Sequence, residues 1–490
     1  MVRTDDARAA ADIFIRLALD HALTQSAGHD PWRAVFAEWV RARTPRSRKV
    51  PAMSANTTDA ESPVAYHPGS AEYDEHRVGF QLREQHQPAL VVAARDADDV
   101  VAAVRHAAES CMPIAVQATG HGLANPLAGE GVLVSTRRMD SVDVDPGAGT
   151  AWVGAGARWR DVIEAAARYG LAPLSGSMPG VGAVSYTLGG GIGLMARRYG
   201  FAADHVTRLE LVTVDGSLLT VSEHEEPDLF WALRGGGGSF GIVTALEIAL
   251  MPVAKLVGGG LMFDLGETPD VVATWLHWTA TMPPEMTSAM TTLEFSNRHM
   301  AHVQIAYLGS AAEADELVAP LRALKPAYDG LQEIPYRRSD TVFSEPDQPH
   351  AYVADNVLLR AIDEEHLRDA IATSAPGRSV PSIISVRHLG GALSTPPRVP
   401  NAVSHREAKY LLCAVAPTTK SNAASARALQ EELLAGWSGT AVGSSPNFTL
   451  GRPDQRAAAE LFDAERRDRL LQLARKYDPA GLLHPSFVIA

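Results

Sequence analysis

From residue 88 onward the chain alternates short apolar runs with amphipathic stretches. Residues 88–94 are apolar throughout, the pattern of a strand buried on both faces. Asp96 and Asp99 follow, with Val100, Val101 and Val104 along one side. A capping aspartate ahead of an apolar stripe predicts a helix to about residue 110. Residues 113–116 read as a buried strand, 132–134 and 142–144 as two more, and 150–154 opens a further unit. A helix over 159–169 stops at Gly170, which suits a left-handed C′ position. Strands at 209–214 and 218–221 flank the turn Asp215-Gly216, then a helical turn at 228–234 leads to a strand at 242–250. Beyond Pro252 longer strands (291–295, 303–307, 383–386, 409–415) mix with amphipathic helices at 311–324, 364–373 and 423–437. A charged helix in the final stretch from 453 ends at Tyr477-Asp478-Pro479. Residues 1–62 read as an appendage, two amphipathic helices at 7–23 and 32–43 and then a polar linker. Repeated strand–helix–strand passages followed by a sheet-plus-helix region predict an α+β fold with a nucleotide-binding part.

Composition narrows the function classes. A length of 490 residues allows several domains with real cores. The net charge of −13 argues against nucleic acid and anionic membrane as partners, since phosphate binding draws on Lys and Arg. No run approaches a membrane span, and the apolar stretch 13–23 is broken by Arg16, Asp20 and His21, unlike a secretory signal. Two cysteines, Cys111 and Cys413, fit a reducing compartment, so a cytoplasmic location is expected. They supply no zinc cluster, and His224-Glu225-Glu226 lacks a second histidine at helical spacing, so no metal site is expected.

Glycine is where the chemistry gathers. The strand at 113–116 runs into Gln117-Ala118-Thr119-Gly120-His121-Gly122, a histidine between two glycines. Small residues let backbone approach a ligand and leave the imidazole as the one reactive side chain. The stretch 174–193 is denser still, with Gly176, Gly180, Gly182, Gly189, Gly190, Gly191 and Gly193. Outside low-complexity sequence, such backbone packs against something flat or presents N–H groups to an anion. Two short motifs mislead. Residues 236–241 fit GxGxxG and 237–241 fit GxSxG, but helix precedes and strand follows. A dinucleotide fingerprint and a nucleophile elbow both need strand before helix.

Together these segments resemble the FAD-linked oxidases with a p-cresol-methylhydroxylase-type FAD domain, in the berberine-bridge-enzyme-like branch. The resemblance rests on the strand at 88–92 with its Asp-Asp helix, the His121 loop, the run 176–193, and the block 227–244. Weaker echoes lie at Gly390-Gly391-Ala392, at 405–410 and at Tyr477-Asp478-Pro479. It implies an extension over 1–62, a two-subdomain FAD-binding domain over 63–253, and a substrate domain over 254–440 whose antiparallel sheet, backed by helices, covers the flavin ring. A segment over 441–490 then returns to the FAD domain. It further implies an 8α bond from His121 to FAD, with Val116, Gln117, Ala118, Thr119, Gly120 and Gly122 around it. Gly176, Met178, Val181, Gly182, Gly189, Gly190, Gly191, Gly193, Gly241 and Val243 complete the implied cofactor site.

The departures are informative. Met178 stands where doubly attached relatives carry a cysteine, and a thioether cannot form that bond, so a single attachment is expected. Gln117 replaces the family's arginine and Thr119 its glycine, which leaves more of the pyrophosphate binding to backbone N–H groups. Val181, at the oxygen-gate position, is compatible with O₂ reaching the flavin.

The reaction implied is hydride transfer from a small organic alcohol, amine or aromatic to flavin N5, helped by a base, with reoxidation by O₂. Tyr410 is the first candidate base and Tyr352 the second, and His388, His405 and Asp355 follow. Two other readings compete: a dehydrogenase that passes electrons to another acceptor, and a flavin-containing protein that binds or sequesters a ligand.

Overall fold

The computed structural model describes residues 63–122, 125–419, 421–450, 458–487 and 489. The helices expected at 7–23 and 32–43 and the linker after them lie outside the described residues, as does the start of the final stretch at 453–457.

Three sheets organise the described chain. In the first the order is Val64–Tyr66, Leu90–Ala93, Val132–Ser135, Ile114–Gln117, the last three parallel and the first antiparallel. Parallel neighbours need a crossover, which the helix Ala97–Glu109 supplies. Its N-cap forms as the sequence predicts: the Asp96 carboxylate accepts from the Asp99 backbone N–H at 3.0 Å. Val100, Ala103, Val104 and Ala107 then bury against Val92, Ile114, Val132 and Val134.

The second sheet is antiparallel, in the order Val142–Asp145, Thr150–Gly154, Ile242–Ala249, Val206–Val212, Leu218–Ser222. The strand expected at 209–214 starts earlier and stops at Val212, because the turn claims Thr213. The Thr213 hydroxyl donates to the Asp215 carboxylate at 2.6 Å, and the Thr213 backbone N–H donates to the Ser217 carbonyl. Helix Trp159–Ala167 ends two residues short of the expectation, with Gly170 at φ +70°.

The third sheet has nine strands, all pairs antiparallel. Its order is Tyr328–Asp329, Lys255–Asp264, Arg298–Tyr307, Met286–Phe295, Ile383–His388, Tyr410–Pro417, Tyr352–Leu359, Ala441–Gly443, with Gln332–Pro335 also beside Lys255–Asp264. One face packs on the helices Val271–Thr279, Ala311–Arg322, Glu364–Ala372 and Ala423–Ala435. Phe263, Met290, Ile305, Val386 and Leu412 meet Trp275, Val318, Leu367 and Leu434 there. With period two along each strand, the alternate residues point to the other face, toward the first two sheets.

Near its end the chain returns to the first two sheets. Arg469, on the helix Ala464–Tyr477, pairs with Asp228 at 2.7 Å and covers Trp231. The Ile114 backbone N–H donates to the Leu482 carbonyl, and the His484 backbone N–H donates back to the Ile114 carbonyl.

Candidate active site

A cavity of about 730 Å³ lies between the first two sheets and the free face of the third. On one side it is walled by Val116, Gln117, Ala118, Thr119, Gly120, His121 and Gly122, with Gly176, Met178, Val181, Gly189 and Gly241. The opposite wall is the sheet face that carries Gln304, Thr291, His302, Ser385, Arg387, Cys413 and Tyr352. Most of the residues singled out by the glycine patterns therefore converge on one space.

The His121 loop is fixed by close backbone approach. Gly120 has φ +68°, and a Cβ there would sit 2.5 Å from Gly79 Cα. Two glycines facing each other let the Phe80 N–H donate to the Thr119 carbonyl (2.9 Å) and the Gln81 N–H to the Gly120 carbonyl (3.1 Å). Phe80 then stacks on the His121 ring, centroids 4.0 Å apart and planes 11° from parallel. His121 Nδ1 lies 2.8 Å from the Thr119 hydroxyl, which also accepts from the Gly182 N–H at 3.3 Å. Burial, with Arg158, His350 and Arg160 nearby, lowers the imidazole pKa to about 3 and keeps the ring neutral. Among the described residues its Nε2 is buried with no hydrogen-bond partner, as are Gln117 Oε1 and Tyr186 Oη on the same walls. Buried polar atoms without partners are costly, so such a cluster around one cavity fits a polar ligand held there. Gln117 does not carry the charge of an arginine, yet Arg158 and Arg160 bring cations close to the loop.

Four glycine-block residues take other places. Gly182 caps the short helix Ala183–Leu188 and reaches the site through Thr119. Gly190 and Gly191, at φ +103° and +80°, turn the chain so that their carbonyls accept from Ala203 and Ala202. Gly193 packs on Ser175: a Cβ there would lie 2.1 Å from the Ser175 carbonyl oxygen. Gly193→Ala is therefore expected to destabilise by about 2–3 kcal/mol, read as a lower denaturant midpoint. Val243 is a core residue of the second sheet, packed among Leu209, Leu211 and Leu246.

Tyr410 is not brought to the cavity. It shares the helix-side face with Leu412 and Ala414, and its hydroxyl bonds to the Thr279 hydroxyl at 3.0 Å, beside Trp275 and His388. Cys413 and Val415, one residue out of phase, are the ones that face the cavity. Strand parity thus turns the first-choice base, Tyr410, away from the cavity. Tyr410→Phe should cost about 1 kcal/mol of stability through the lost hydrogen bond and leave turnover within about twofold.

His388 shares that helix side, and its Nε2 lies 2.9 Å from the buried Arg197 guanidinium. His405 lies apart, near Glu407 and Asp463. Asp355 is fully buried, out of phase with the cavity-facing Tyr352 and Ala354. Tyr352 does face the cavity, but its hydroxyl donates to the His121 backbone carbonyl at 3.2 Å. Burial, helped by Glu345, pushes its pKa above the usual tyrosine value, which opposes a role as base.

The polar centre of the cavity is a group that sequence patterns did not single out. Ser177 donates to Glu345 at 3.0 Å, Arg387 Nη2 reaches Ser177 at 3.4 Å, and Arg387 and Glu345 approach to 3.6 Å. Deeper in the sheet, His302 folds over Gly260, where a Cβ would be 1.9 Å from its Nε2. Burial lowers the His302 pKa to about 4, and burial with Arg197 and Lys409 lowers that of His388 to about 3. An unfolded chain protonates its histidines near 6.5 and so binds more protons than the folded chain between that pH and about 4. Stability held above pH 6.5 is lost as the pH falls through this window, by about 3 kcal/mol per histidine at its lower end. A melting series from pH 7.5 to 4.5 should show the fall, and His302→Gln should make it shallower.

Among the described residues no cluster of histidine, cysteine and acidic groups could hold a metal ion, and no helix is long and apolar enough to cross a membrane.

Comparison with known proteins adds a cofactor class and a shared fold. A family profile described as an FAD binding domain matches residues 88–222. (R)-6-hydroxynicotine oxidase of Paenarthrobacter nicotinovorans is 27% identical over 83% of this chain and 92% of its own length. An uncharacterised FAD-linked oxidoreductase of Bacillus subtilis, YgaK, is 28% identical over 56% of this chain, a match that spans 62% of the YgaK length. The solved structure of Physcomitrella patens BBE-like 1 superposes with a TM-score of 0.76 at 20% identity, covering 87% of this chain and 97% of that one, and shares its fold. With the FAD-binding match lying across the cavity wall, the chain carries an FAD-binding domain, is similar in sequence to FAD-linked oxidoreductases and oxidases, and shares the fold of the berberine-bridge-enzyme-like proteins.

Proposed function

We propose that the protein is an FAD-dependent oxidase of a small organic molecule, an alcohol, amine or aromatic of the secondary-metabolite kind. The observation that carries this reading is that one cavity joins the His121 loop and the glycine run to the polar face of the large sheet. In this reading residues 63–253 hold FAD, 254–440 carry the substrate face, and 441–490 return to the FAD part.

When bound, the flavin supplies an acceptor for a hydride at N5 and passes the electrons to O₂. His121 is the single tether: its neutral ring offers a nitrogen lone pair, and the buried Nε2 has no other partner among the described residues. Met178, apolar and on the cavity wall, packs beside the ring without bonding to it. Glu345 is the proton acceptor for the substrate O–H or N–H. It faces the cavity and is held by Ser177, which adjoins Met178, so the carboxylate stands next to where the ring is expected. Tyr352 positions the tether through its hydrogen bond to the His121 carbonyl. Free Cys111 and Cys413 accord with a cytoplasmic enzyme.

Substrate added without oxygen should bleach the flavin absorbance, and admitted air should restore it with one H₂O₂ per turnover. Bleaching without rapid recovery in air would assign a dehydrogenase. A ligand that shifts the spectrum without bleaching would assign a binding protein.

A further inference from the structure

Resting on that reading, we propose that the substrate carries a carboxylate, or an equivalent planar anion, on an aromatic or apolar body, and that Arg387 is its anchor. Arg387 projects from the strand Ile383–His388 into the cavity. Its guanidinium lies over two aromatic rings, 4.5 Å from the Phe343 centroid and 5.1 Å from that of Phe448. Two such ring contacts restrict the orientation of the group before anything binds.

The hydrogen bonds of Arg387 are incomplete. Among the described residues Nε is buried with no partner, and Nη2 has only long contacts, to Ser177 at 3.4 Å and Glu345 at 3.6 Å. Nε–H and a neighbouring Nη–H form the side-on fork that accepts both oxygens of a carboxylate. An oriented fork whose Nε–H is unpaired among the described residues and whose Nη2–H makes only long contacts can close on a planar bidentate anion. Charge points the same way. The cavity is lined by three arginines, Arg337, Arg338 and Arg387, against two carboxylates, and Glu333 already pairs with Lys255 at 2.8 Å. A net positive pocket in a chain of net charge −13 selects for an anionic ligand. Ile383 and Val415, a cross-strand pair four residues along the same wall, with Phe343 and Phe448 give the ligand body an apolar seat.

The test titrates the purified flavoprotein with benzoate and with benzamide, which match in shape and differ in charge. Flavin difference spectra and calorimetry are read on the same samples. Benzoate is expected to bind about tenfold or more tighter than benzamide. Arg387→Met should bring the two within about twofold, and Arg387→Lys should keep part of the preference, since it retains charge without the fork. Equal binding of the two probes by the wild type overturns the proposal whatever the variants do, as does a preference that survives in Arg387→Met. If Arg387→Met loses flavin while the preference persists, Arg387 serves the cofactor and the proposal fails. Should the wild type carry no flavin, the functional reading fails, and calorimetry still decides the anion preference.

Discussion

Glu345→Gln is expected to lower kcat by about 10²–10³-fold while leaving flavin content and melting temperature close to those of the wild type. Glutamine has the shape of glutamate and can still accept from Ser177, so the 3.0 Å hydrogen bond that places residue 345 survives. What it cannot do is take a proton. Removal of an O–H or N–H proton as the hydride leaves keeps positive charge from building on the substrate. Loss of a positioned base therefore falls on the chemical step and not on binding. Single-turnover flavin reduction measures that step directly. A variant in which KM rises with kcat unchanged would make Glu345 a binding group and send the search for the base back to the other cavity-facing polar residues, His302 first.

His121→Ala is expected to yield a folded protein that releases its FAD in acid and turns over about 10–100-fold more slowly, on the order of 1.4–2.7 kcal/mol in the barrier. Two effects combine. A bond to the 8α position withdraws electrons from the ring and makes it a stronger oxidant, so its loss slows hydride acceptance. The ring is also less firmly placed, because the stack of His121 on Phe80 is removed with it, and such pairs contribute about 0.5–1.5 kcal/mol. Added FAD should restore part of the activity, since the glycine walls of the cavity are untouched. Flavin stoichiometry in the native and acid-treated variant, beside its turnover with added FAD, checks each part.

What was legible in the sequence had local causes. Asp96 marks a helix start because its side chain bonds three residues on, a signal that needs no tertiary context. Gly120 and Gly170 sit at positive φ, where glycine is chosen for backbone reasons visible in any turn. The His121 loop stood out because a lone histidine among small residues is rare, and it does line the cavity.

What escaped depended on partners far along the chain. In Tyr410–Pro417 both faces are buried, one by helices and one by the cavity, so its residues are nearly all apolar and nothing tells which face Tyr410 takes. The same holds one strand over, where His388 takes the helix side and Arg387 the cavity side. The strand Lys255–Asp264 contains Gly258, Gly259 and Gly260, poor strand formers, and holds through its neighbours. Gly260 is there to admit the His302 ring, a contact between residues far apart in the chain. Glu345 lies in an irregular segment with no periodicity, and only its meeting with Ser177 reveals it.

The central claim is that FAD is bonded to His121 and spans the cavity toward the sheet. Intact-mass analysis of the acid-denatured protein, followed by proteolysis, tests it most directly. The account predicts a chain heavier by one FAD, a yellow pellet, and flavin fluorescence on a single peptide that contains His121. An unmodified chain with a colourless pellet, or flavin on a peptide lacking His121, would contradict it.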